Sequence, residues 1–502
     1  MTLITLLAVQ LQLAAIFTDN MVLQRGQPIH VWGRGAPGEK VSAELDNAPA
    51  AHHPLPAAHH PLYAAATVQA DSTWSLYFPP QQADTMKWEL SITNGTDRIH
   101  IGNILIGDVW VCIGQSNMEF PMSSEMHFAE EKQKAEQPLI RLYNPVYTGK
   151  NVYGRPFTDS MLQSLTPARF YRGSWTVCDS ITVRTMSAVG YYFGKCISGR
   201  EHIPVGLIHL AIGGCPIETF MSMDALKQFP EKINGDWLEN SYLPVWVHDR
   251  GRENIAGNVH AFRDARGYDH AYKPGFAYAA GIAPILPMAI NGIIWYQGES
   301  NAQEPERVTE YPRLQQAMVE DYRKKWRQPH LPFYWVQLSS IDTLQYKGRY
   351  WPVFRDGQRR LLTSIPDGGM AVCSDIGARD NVHPTDKRTV GQRLARWALH
   401  DQYGEKQIVV SGPLPLQASY GHDTVVIHFQ YARGLKTSDG GMLRGFSING
   451  QDAAPAFIRG DEVLLPVNGK PSAVYYGWQS YTDGNLVNGE SLPASTFKLS
   501  IP

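Results

Sequence analysis

Apolar and polar positions alternate through residues 14–103 of the chain. Short segments with a period of two are separated by turn residues, and this pattern is typical of half-buried β-strands. The segments read MVLQ, IHVWG, KVSAEL, TWSLYF and WELSIT. We therefore predict an N-terminal β-sandwich domain over residues 1–103.

Between residues 104 and 402 the pattern changes to continuous apolar runs that alternate with helical periodicity. The runs read VWVCI, VGLIHLAI, INGIIWYQ, FYWVQLS and MAVCSDI, and such runs are typical of parallel strands covered by helices on both faces. One apolar stripe at helical spacing contains Tyr311, Leu314 and Met318, and another contains Val390 and Leu394. The pattern predicts an α/β domain with a parallel sheet.

Two polar stretches rich in proline and glycine, residues 122–180 and 220–280, follow no strand–helix alternation. We expect them to be insertions at one end of the sheet, where they would form lids or substrate walls. After them, short strand patterns return and read QIVVSG, DTVVIHFQ, GFSING, EVLLPV and AVYYGWQ. Residues 403–502 are therefore predicted to form a C-terminal β-domain.

Charge and cysteine content narrow the classes of partner. The 502 residues include 45 basic and 47 acidic side chains, and a net charge of −2 argues against nucleic acid or an anionic membrane as the main partner. The five cysteines contain no Cys-x-x-Cys pair, so the sequence indicates neither a zinc clip nor a redox dithiol. We interpret Cys112, Cys215 and Cys373 as buried small apolar residues, and a disulfide between Cys178 and Cys196 stays open.

The chain begins MTLITLLAVQLQLAAIF, an apolar segment without lysine or arginine. It fits the remnant of a signal peptide or a first strand, and its glutamines interrupt it before it reaches the length of a membrane span. A tandem repeat, PAAHHPL at residues 49–55 and again at 56–62, brings four histidines together. Because a segment rich in alanine and proline offers no fixed scaffold for metal ligands, we interpret the repeat as an exposed loop.

Three strand ends carry unusual polar or glycine-rich sequences, and ligands of open α/β sheets bind at the carboxyl ends of strands. The first strand delivers GQSN with Ser116, the second delivers GGCP with Gly213 and Gly214, and the third delivers QGESN. Further on, Asp380 and His383 precede an amphipathic helix. Together these segments supply a nucleophile, a base, a carboxylate and polar donors in an order compatible with one site.

The chemistry that these residues suggest is acyl transfer. A serine hydroxyl needs a base to take its proton, and His383 can accept that proton and return it to a leaving alcohol. Asp380 can accept the imidazole Nδ1–H and stabilise the imidazolium. Backbone N–H groups at Ser116 and at Gly213 or Gly214, together with a side-chain amide, would stabilise the oxyanion.

Other hydrolase patterns fit less well. The nucleophile stretch reads Gly-x-Ser-x-Met, so the Gly-x-Ser-x-Gly elbow of α/β-hydrolases is absent, as are a His-Glu-x-x-His motif and a phosphate-binding loop. A pair of carboxylates for glycoside cleavage stays an open alternative, because the sequence does not give the distance between two carboxylates. Glu299 is the acidic residue at a strand end, and we interpret it as holding the loops of the site by hydrogen bonds.

The segments GDVWVCIGQSNMEFPM, IPVGLIHLAIGGCPIETFMS, IIWYQGESNA and DNVHPTDKRTVGQRLA resemble the four blocks of sialate O-acetylesterase-type SGNH hydrolases. The resemblance covers nearly the whole chain. It implies a flavodoxin-like SGNH core flanked by β-sandwich domains, and a metal-free serine esterase without cofactor that removes O-acetyl groups from sialic acid, notably at O9. It assigns Ser116 as nucleophile, His383 as base and Asp380 as its partner.

The same resemblance places Gln297 in the third oxyanion position, with Asn301 as the other candidate, and Cys215 where a small hydroxyl residue is expected. It also favours a periplasmic or secreted protein. Acetylxylan or another acetylated polysaccharide is the alternative substrate, since the acyl half is identical. A non-catalytic glycan-binding protein on a decayed hydrolase core is the alternative from another class, and the joint presence of Ser116, Asp380 and His383 argues against it.

Overall fold

The computed structural model describes residues 10–47, 61–255, 261–342 and 346–502. The N-terminal strands form two sheets: the first, third and sixth strands make one, and the others make the second. The strands are β1 (Gln12–Leu13), β2 (Val22–Gln24), β3 (Ile29–Arg34), β4 (Lys40–Asp46), β5 (Leu62–Thr67), β6 (Thr73–Phe78), β7 (Asp84–Thr93) and β8 (Arg98–Gly114). The five predicted strands of this region are confirmed.

The strand β5 was not predicted, because its sequence LYAAAT is rich in alanine, a poor strand former, and directly follows the PAAHHPL repeat. Its alternating pattern of half-buried and exposed residues comes from pairing with β4. Residues 48–60, which hold nearly all of that repeat and its histidines, lie outside the described residues.

The 17-residue strand β8 connects the N-terminal sheets to the central sheet. Its first half pairs antiparallel with β7, and its second half is buried without interruption and pairs with parallel strands on both sides. One continuous hydrophobic core extends from Leu11 to Leu414. The predicted boundary at residues 103 and 104 therefore falls inside a strand, and the strand that ends just before Ser116 begins in the N-terminal sheets.

In the part of the central region that the structure describes there are ten further strands. They are β9 (Gln137–Tyr143), β10 (Val146–Tyr147), β11 (Tyr171–Arg172), β12 (Trp175–Cys178), β13 (Val205–His209), β14 (Arg263–Asp264), β15 (Gly267–Tyr268), β16 (Gly292–Tyr296), β17 (Phe333–Val336) and β18 (Gly368–Ala371). The main sheet has the order β12-β9-β13-β8-β16-β17-β18, and its neighbours from β9 to β18 are parallel. The prediction of an α/β region with a parallel sheet is confirmed.

Helices cover both faces of this sheet. They are α1 (Ser116–Glu119), α2 (Phe128–Glu131), α3 (Asp159–Ser164), α4 (Ala188–Glu201), α5 (Ile217–Phe220), α6 (Met223–Leu226), α7 (Val245–Ile255), α8 (Pro305–Trp326), α9 (Trp351–Ser364) and α10 (Lys387–Asp401). Trp110 of β8 packs edge-on against Phe193 of α4. Trp295 of β16 stands beside Ile113 of β8, three residues after Trp110, and so points to the other face of the sheet. There its indole N–H donates a hydrogen bond to the Tyr311 hydroxyl of α8. Since successive side chains of a strand alternate in direction, α4 and α8 lie on opposite faces. The two predicted apolar stripes are buried on α8 and α10.

The interpretation of residues 122–180 as a pure insertion is wrong in part, because β9 and β12 extend the main sheet at its edge. The strand β9 escaped prediction because a proline and an arginine interrupt its apolar run. The described part of residues 220–280 contributes helices and the β14–β15 hairpin, and no strand of the main sheet. All five cysteines are free thiols, so no disulfide joins Cys178 to Cys196. Among the described residues, no helix has both the length and the apolarity to cross a membrane.

The C-terminal strands have a hydrophobic core of their own, from Ala418 to Ile501. They are β19 (Leu414–Gly421), β20 (Thr424–Gln430), β21 (Lys436–Thr437), β22 (Phe446–Ser447), β23 (Phe457–Arg459), β24 (Glu462–Pro466), β25 (Ala473–Tyr476), β26 (Leu486–Val487) and β27 (Phe497–Ser500). The buried guanidinium of Arg355 on α9 donates to the carbonyls of Gly477 and Ser480 and so fixes this region to the central one.

Four of the five strands predicted for this region are confirmed. The stretch QIVVSG is not a strand. It comes soon after α10 in the chain, and its Val409 carbonyl accepts a hydrogen bond at 2.6 Å from the side chain of Arg396 on that helix, not from a neighbouring strand.

Candidate active site

Ser116 stands at a tight strand-to-helix turn at the carboxyl end of β8. Gly114 has a φ of +138°, and a Cβ atom there would lie 2.1 Å from the carbonyl oxygen of Tyr296 on β16. The next N–H, that of Gln115, donates to the same carbonyl at 3.0 Å. A glycine is therefore required for the strand ends to approach this closely. The turn places Ser116 at the start of α1 with its side chain partly exposed.

His383 meets Ser116 across the carboxyl end of the sheet. Its Nε2 atom lies 2.7 Å from the Ser116 Oγ atom, although 267 residues separate the two. The loop after β18 carries the histidine, and the His383 N–H donates to the Asn381 side chain at 2.8 Å. The predicted convergence of these two residues is thus present in the structure, at a distance that suits proton transfer from hydroxyl to imidazole.

The environment of His383 favours the neutral imidazole. Burial, together with the nearby Lys387 ammonium, lowers the pKa of His383 to about 4. At neutral pH the ring is therefore unprotonated, and Nε2 has a lone pair for the Ser116 proton.

Asp380 is not brought into contact with this pair. Its side chain is exposed, and within the described residues no hydrogen bond or ion pair joins its carboxylate to His383. Between Asp380 and His383 the backbone makes a turn, in which the Asn381 side chain accepts the His383 N–H. The role of Asp380 stays a prediction.

The glycine pair after β13 lies beside the end of β8, since the N–H of the preceding residue, Ile212, donates to the Gly114 carbonyl at 3.0 Å. Gly214 has a φ of +74°, and a Cβ atom there would lie 2.5 Å from the Tyr272 hydroxyl oxygen. The Gly213 and Gly214 carbonyls accept hydrogen bonds from the hydroxyls of Tyr272 and Ser300, both at 2.9 Å. The N–H groups of Ser116, Gly213 and Gly214 have no acceptor among the described residues. The carbonyls are therefore fixed while the donors stay available.

Gln297 and Asn301 are fully buried, and their amides are committed elsewhere. The Gln297 Nε2 atom donates to Asn301 Oδ1 at 2.8 Å, to Gln115 Oε1 at 3.1 Å and to the Cys215 carbonyl at 3.2 Å. The Asn301 Nδ2 atom donates to Glu218 Oε2 at 3.0 Å. Both side chains thus tie the three strand-end loops together, and neither directs a free donor at Ser116 in this geometry.

Glu299 holds the loops of the site, as predicted. Its carboxylate accepts a hydrogen bond from the side chain of Asn117, the residue after Ser116. Burial raises the pKa of Glu299. Asn117 and the fully buried Lys387 are residues of this site whose roles were not predicted from the sequence. Lys387 could have been found, because it precedes Val390 and Leu394 on the apolar stripe of α10, where a charged residue is out of place.

Comparison with known proteins agrees with this geometry. Residues 268–400, which include His383, match the family model described as a carbohydrate esterase, sialic acid-specific acetylesterase. The sialate O-acetylesterases of Rattus norvegicus and Homo sapiens are each 27% identical to this chain, over 80% of the chain and 75% and 73% of their own lengths. The predicted family resemblance is confirmed, and the protein is an esterase. A solved carbohydrate acetylesterase from Xanthomonas citri is similar in fold, with a TM-score of 0.78 at 28% identity, covering 98% of this chain and 100% of that one.

A cavity of about 370 Å³ opens beside the Ser116–His383 pair of the esterase. Its wall includes Lys150 and Tyr153, which come from the first of the two polar stretches, and Glu119 of α1. Lys150 Nζ lies 3.3 Å from Glu119 Oε1. These residues of the first polar stretch therefore line the cavity, and their contact with a substrate stays a prediction.

A cluster of metal-ligand residue types lies behind the His383 loop of the esterase. Glu125, His127 and Asp386 place one ligand atom each within 4.8 Å of one another. Their carboxylates already accept protein hydrogen bonds: Glu125 from His127 and Tyr192, and Asp386 from Thr389 at the start of α10. These contacts explain the cluster as a support of the loop.

Proposed function

We propose that this esterase removes O-acetyl groups from sialic acid, preferably at O9, through an acyl-enzyme on Ser116. The observation that carries the proposal is the 2.7 Å contact between Ser116 Oγ and His383 Nε2 at the mouth of the cavity. The sialate O-acetylesterases to which the chain is similar supply the substrate class.

In the first half-reaction His383 takes the Ser116 proton while Oγ attacks the acetyl carbonyl carbon. The N–H groups of Ser116 and of Gly213 or Gly214 stabilise the oxyanion, and no metal or cofactor takes part in the proposed steps. The tetrahedral intermediate collapses when His383 returns the proton to the sugar oxygen. In the second half-reaction water attacks the acetyl-serine and His383 accepts its proton; acetate then leaves as His383 returns that proton to the Ser116 Oγ atom.

We propose that the catalytic region is an SGNH hydrolase core flanked by β-sandwich domains. The strands β13-β8-β16-β17-β18, numbered in their order along the sequence as 2-1-3-4-5, follow the strand order of flavodoxin. In that arrangement the nucleophile follows the first strand of the five. Within this proposal Asp380 keeps the role that the resemblance implies, and Gln297 and Asn301 support the oxyanion loops through their buried hydrogen bonds.

The cavity offers a partner for the substrate carboxylate. Sialic acid carries a carboxylate, and Lys150 is the cation among the described lining residues. Two arginines outside the cavity contact aromatic rings: the Arg184 guanidinium lies over the Phe128 ring and the Arg379 guanidinium lies over the Tyr481 ring. We therefore propose that Lys150 binds the sialate carboxylate, exchanging part of its contact with Glu119 for the substrate.

A neutral acetylated polysaccharide is the second candidate substrate. It is favoured by the similarity over 98% of the chain to the Xanthomonas citri carbohydrate acetylesterase. For such a substrate the Glu119 carboxylate would accept hydrogen bonds from sugar hydroxyls in place of its contact with Lys150.

We also propose a periplasmic or secreted location, where the protein would encounter acetylated glycans. Fractionation of the producing cells tests this location.

Acetate release from 9-O-acetylated sialic acid and from acetylated xylan tests the proposal, with wild type and Ser116→Ala compared. We expect wild type to favour the sialate by at least tenfold in kcat/KM and Ser116→Ala to lose activity on both. A preference for xylan would transfer the proposal to polysaccharides. Folded wild type inactive on every acetyl ester, a chromogenic one included, would contradict the proposed reaction and favour glycan binding alone.

A further inference from the structure

Behind the Ser116–His383 pair lies a group of buried polar side chains that the mechanism does not use. Asn117, Glu299 and Lys387 are each at most 1% exposed. They come from three different parts of the sequence: the turn after β8, the loop after β16, and the first residue of α10. Burying a cation and a carboxylate is costly, so their retention beside the reacting atoms calls for an explanation.

The Asn117 amide bridges the two charges. The Lys387 ammonium donates to Asn117 Oδ1 at 2.5 Å, and Asn117 Nδ2 donates to Glu299 Oε1. The orientation of the amide is thereby determined, because a flip would place its NH2 group against the ammonium and its oxygen against the carboxylate. With one Nδ2 hydrogen directed at Glu299, the other is directed at the Val382 carbonyl, 2.9 Å away.

Val382 directly precedes His383 in the chain. The hydrogen bond from Asn117 therefore joins the residue after the nucleophile to the residue before the base. We propose that Lys387 and Glu299 are positioning residues, which orient the Asn117 amide so that it holds the His383 loop against Ser116. The proposal rests on the proposed Ser116–His383 chemistry and adds the device that keeps the two residues at reacting distance.

Further contacts hold Lys387 in this place. Its Nζ atom lies 4.8 Å from the centre of the Phe120 ring and 5.4 Å from that of Tyr296. Both rings belong to the nucleophile region, since Phe120 follows α1 and the Tyr296 carbonyl accepts the Gln115 N–H. The ammonium is thus enclosed by groups on either side of the reacting serine and stabilised by the faces of two rings.

The same ammonium also acts on the base. Burial lowers the pKa of Lys387 to about 7, and Glu299 opposes this change by favouring the cation. The charge of Lys387 lowers the pKa of His383. The other titratable groups around the reaction site are Glu119, Lys150 and Tyr153, which line the cavity, and Asp386, Glu125 and Cys373, which surround Lys387.

The test uses Lys387→Met, Glu299→Gln and the double variant, which removes both charges at once. Hydrolysis of p-nitrophenyl acetate is followed, because this small ester does not depend on sugar contacts. We expect kcat to fall 10- to 100-fold in each single variant with KM changed less than threefold, since a misplacement of about 1 Å can cost a factor of 100. The double variant should lose no more than the worse single variant, because both charges act through one amide.

A pH profile separates positioning from a general loss of packing. In Lys387→Met the acid limb of kcat/KM should move upward from near pH 4, because the cation that lowers the pKa of His383 is gone. In Glu299→Gln the limb should move by less than half a pH unit, since the carboxylate does not act on His383 directly.

Lys273→Met is the matched control, because Lys273 is also buried and bonded to Asp269 but contacts neither Ser116 nor His383. It should keep wild-type kcat. Folded Lys387→Met and Glu299→Gln with wild-type kcat and an unmoved acid limb would overturn the proposal. If wild type itself were inactive, or Ser116→Ala fully active, the proposed function would fail instead.

Discussion

Gly114 and Tyr296 lie directly opposite each other on two parallel strands at the carboxyl end of the sheet. A Cβ atom on Gly114 would lie 2.1 Å from the Tyr296 carbonyl oxygen, and the same carbonyl accepts the N–H of the following residue, Gln115. Ser116 stands one residue further on. The position of Ser116 is therefore determined by a backbone contact that no side chain other than that of glycine allows.

Gly114→Ala should abolish most of the activity. The alanine must either leave its φ of +138° or push β16 away from β8, and both movements displace Ser116. We expect at least a 100-fold loss of kcat and a fall of about 2–4 kcal/mol in the free energy of unfolding, measured by urea denaturation.

Gly26→Ala is the matched control for that variant. Gly26 also has a positive φ, +69°, but a Cβ atom there would meet nothing within 4 Å. It should cost about 1–2 kcal/mol from backbone strain and leave kcat unchanged. Equal losses of activity in the two variants would contradict the role of the close approach.

The pH dependence of the wild type should show an unusually acidic limb. A base with a pKa of about 4 stays unprotonated and competent well below the ordinary histidine range, and it is lost only as the pH falls through that value. We expect kcat/KM for p-nitrophenyl acetate to be constant between about pH 6 and pH 5, where the Lys387 ammonium with its pKa of about 7 is formed, and to halve near pH 4. Circular dichroism over the same range establishes that the protein remains folded. A limb centred near the reference histidine value of about 6.5 would contradict the effect of burial and Lys387.

Much of the site could be predicted from the sequence because its residues follow strands. Ser116 and the pair Gly213–Gly214 come directly after apolar runs, and parallel strands bring their carboxyl ends to one edge. The contact of His383 with Ser116 followed from chemistry and resemblance. Side-chain direction could not be predicted. The exposed Asp380 and the inward-bonded Gln297 illustrate this, since each depends on loop backbone that has no periodic pattern.

The parts of the fold that escaped prediction have a related cause. The strand β9 lies at the edge of the parallel core and carries a proline and an arginine, so its pattern is weak. Asn117 was visible beside Ser116, but its role needs two partners that are 182 and 270 residues away. Such contacts between distant positions have no signature in local sequence.

Asp380→Asn tests whether this carboxylate acts on His383 during turnover. If it orients the imidazole as the resemblance implies, kcat should fall at least 100-fold with KM nearly unchanged, because the wrong tautomer of the base is no longer disfavoured. Burst kinetics with p-nitrophenyl acetate would show the loss in acylation itself. A loss of less than threefold would agree with the exposed position of Asp380 and leave Ser116 and His383 as a dyad.

Lys150→Met tests the proposed recognition of the substrate carboxylate. The ammonium is a charged partner in the cavity wall, and a hydrogen bond to a charged group contributes about 1.5–3 kcal/mol. We therefore expect KM for 9-O-acetyl sialic acid to rise about 10- to 100-fold with a small change in kcat. The methyl ester of the same sugar is the matched control, because it keeps the acetyl group and lacks the charge. Its KM should be similar for wild type and variant, and a parallel rise for both substrates would show that Lys150 acts through Glu119 and the cavity wall instead.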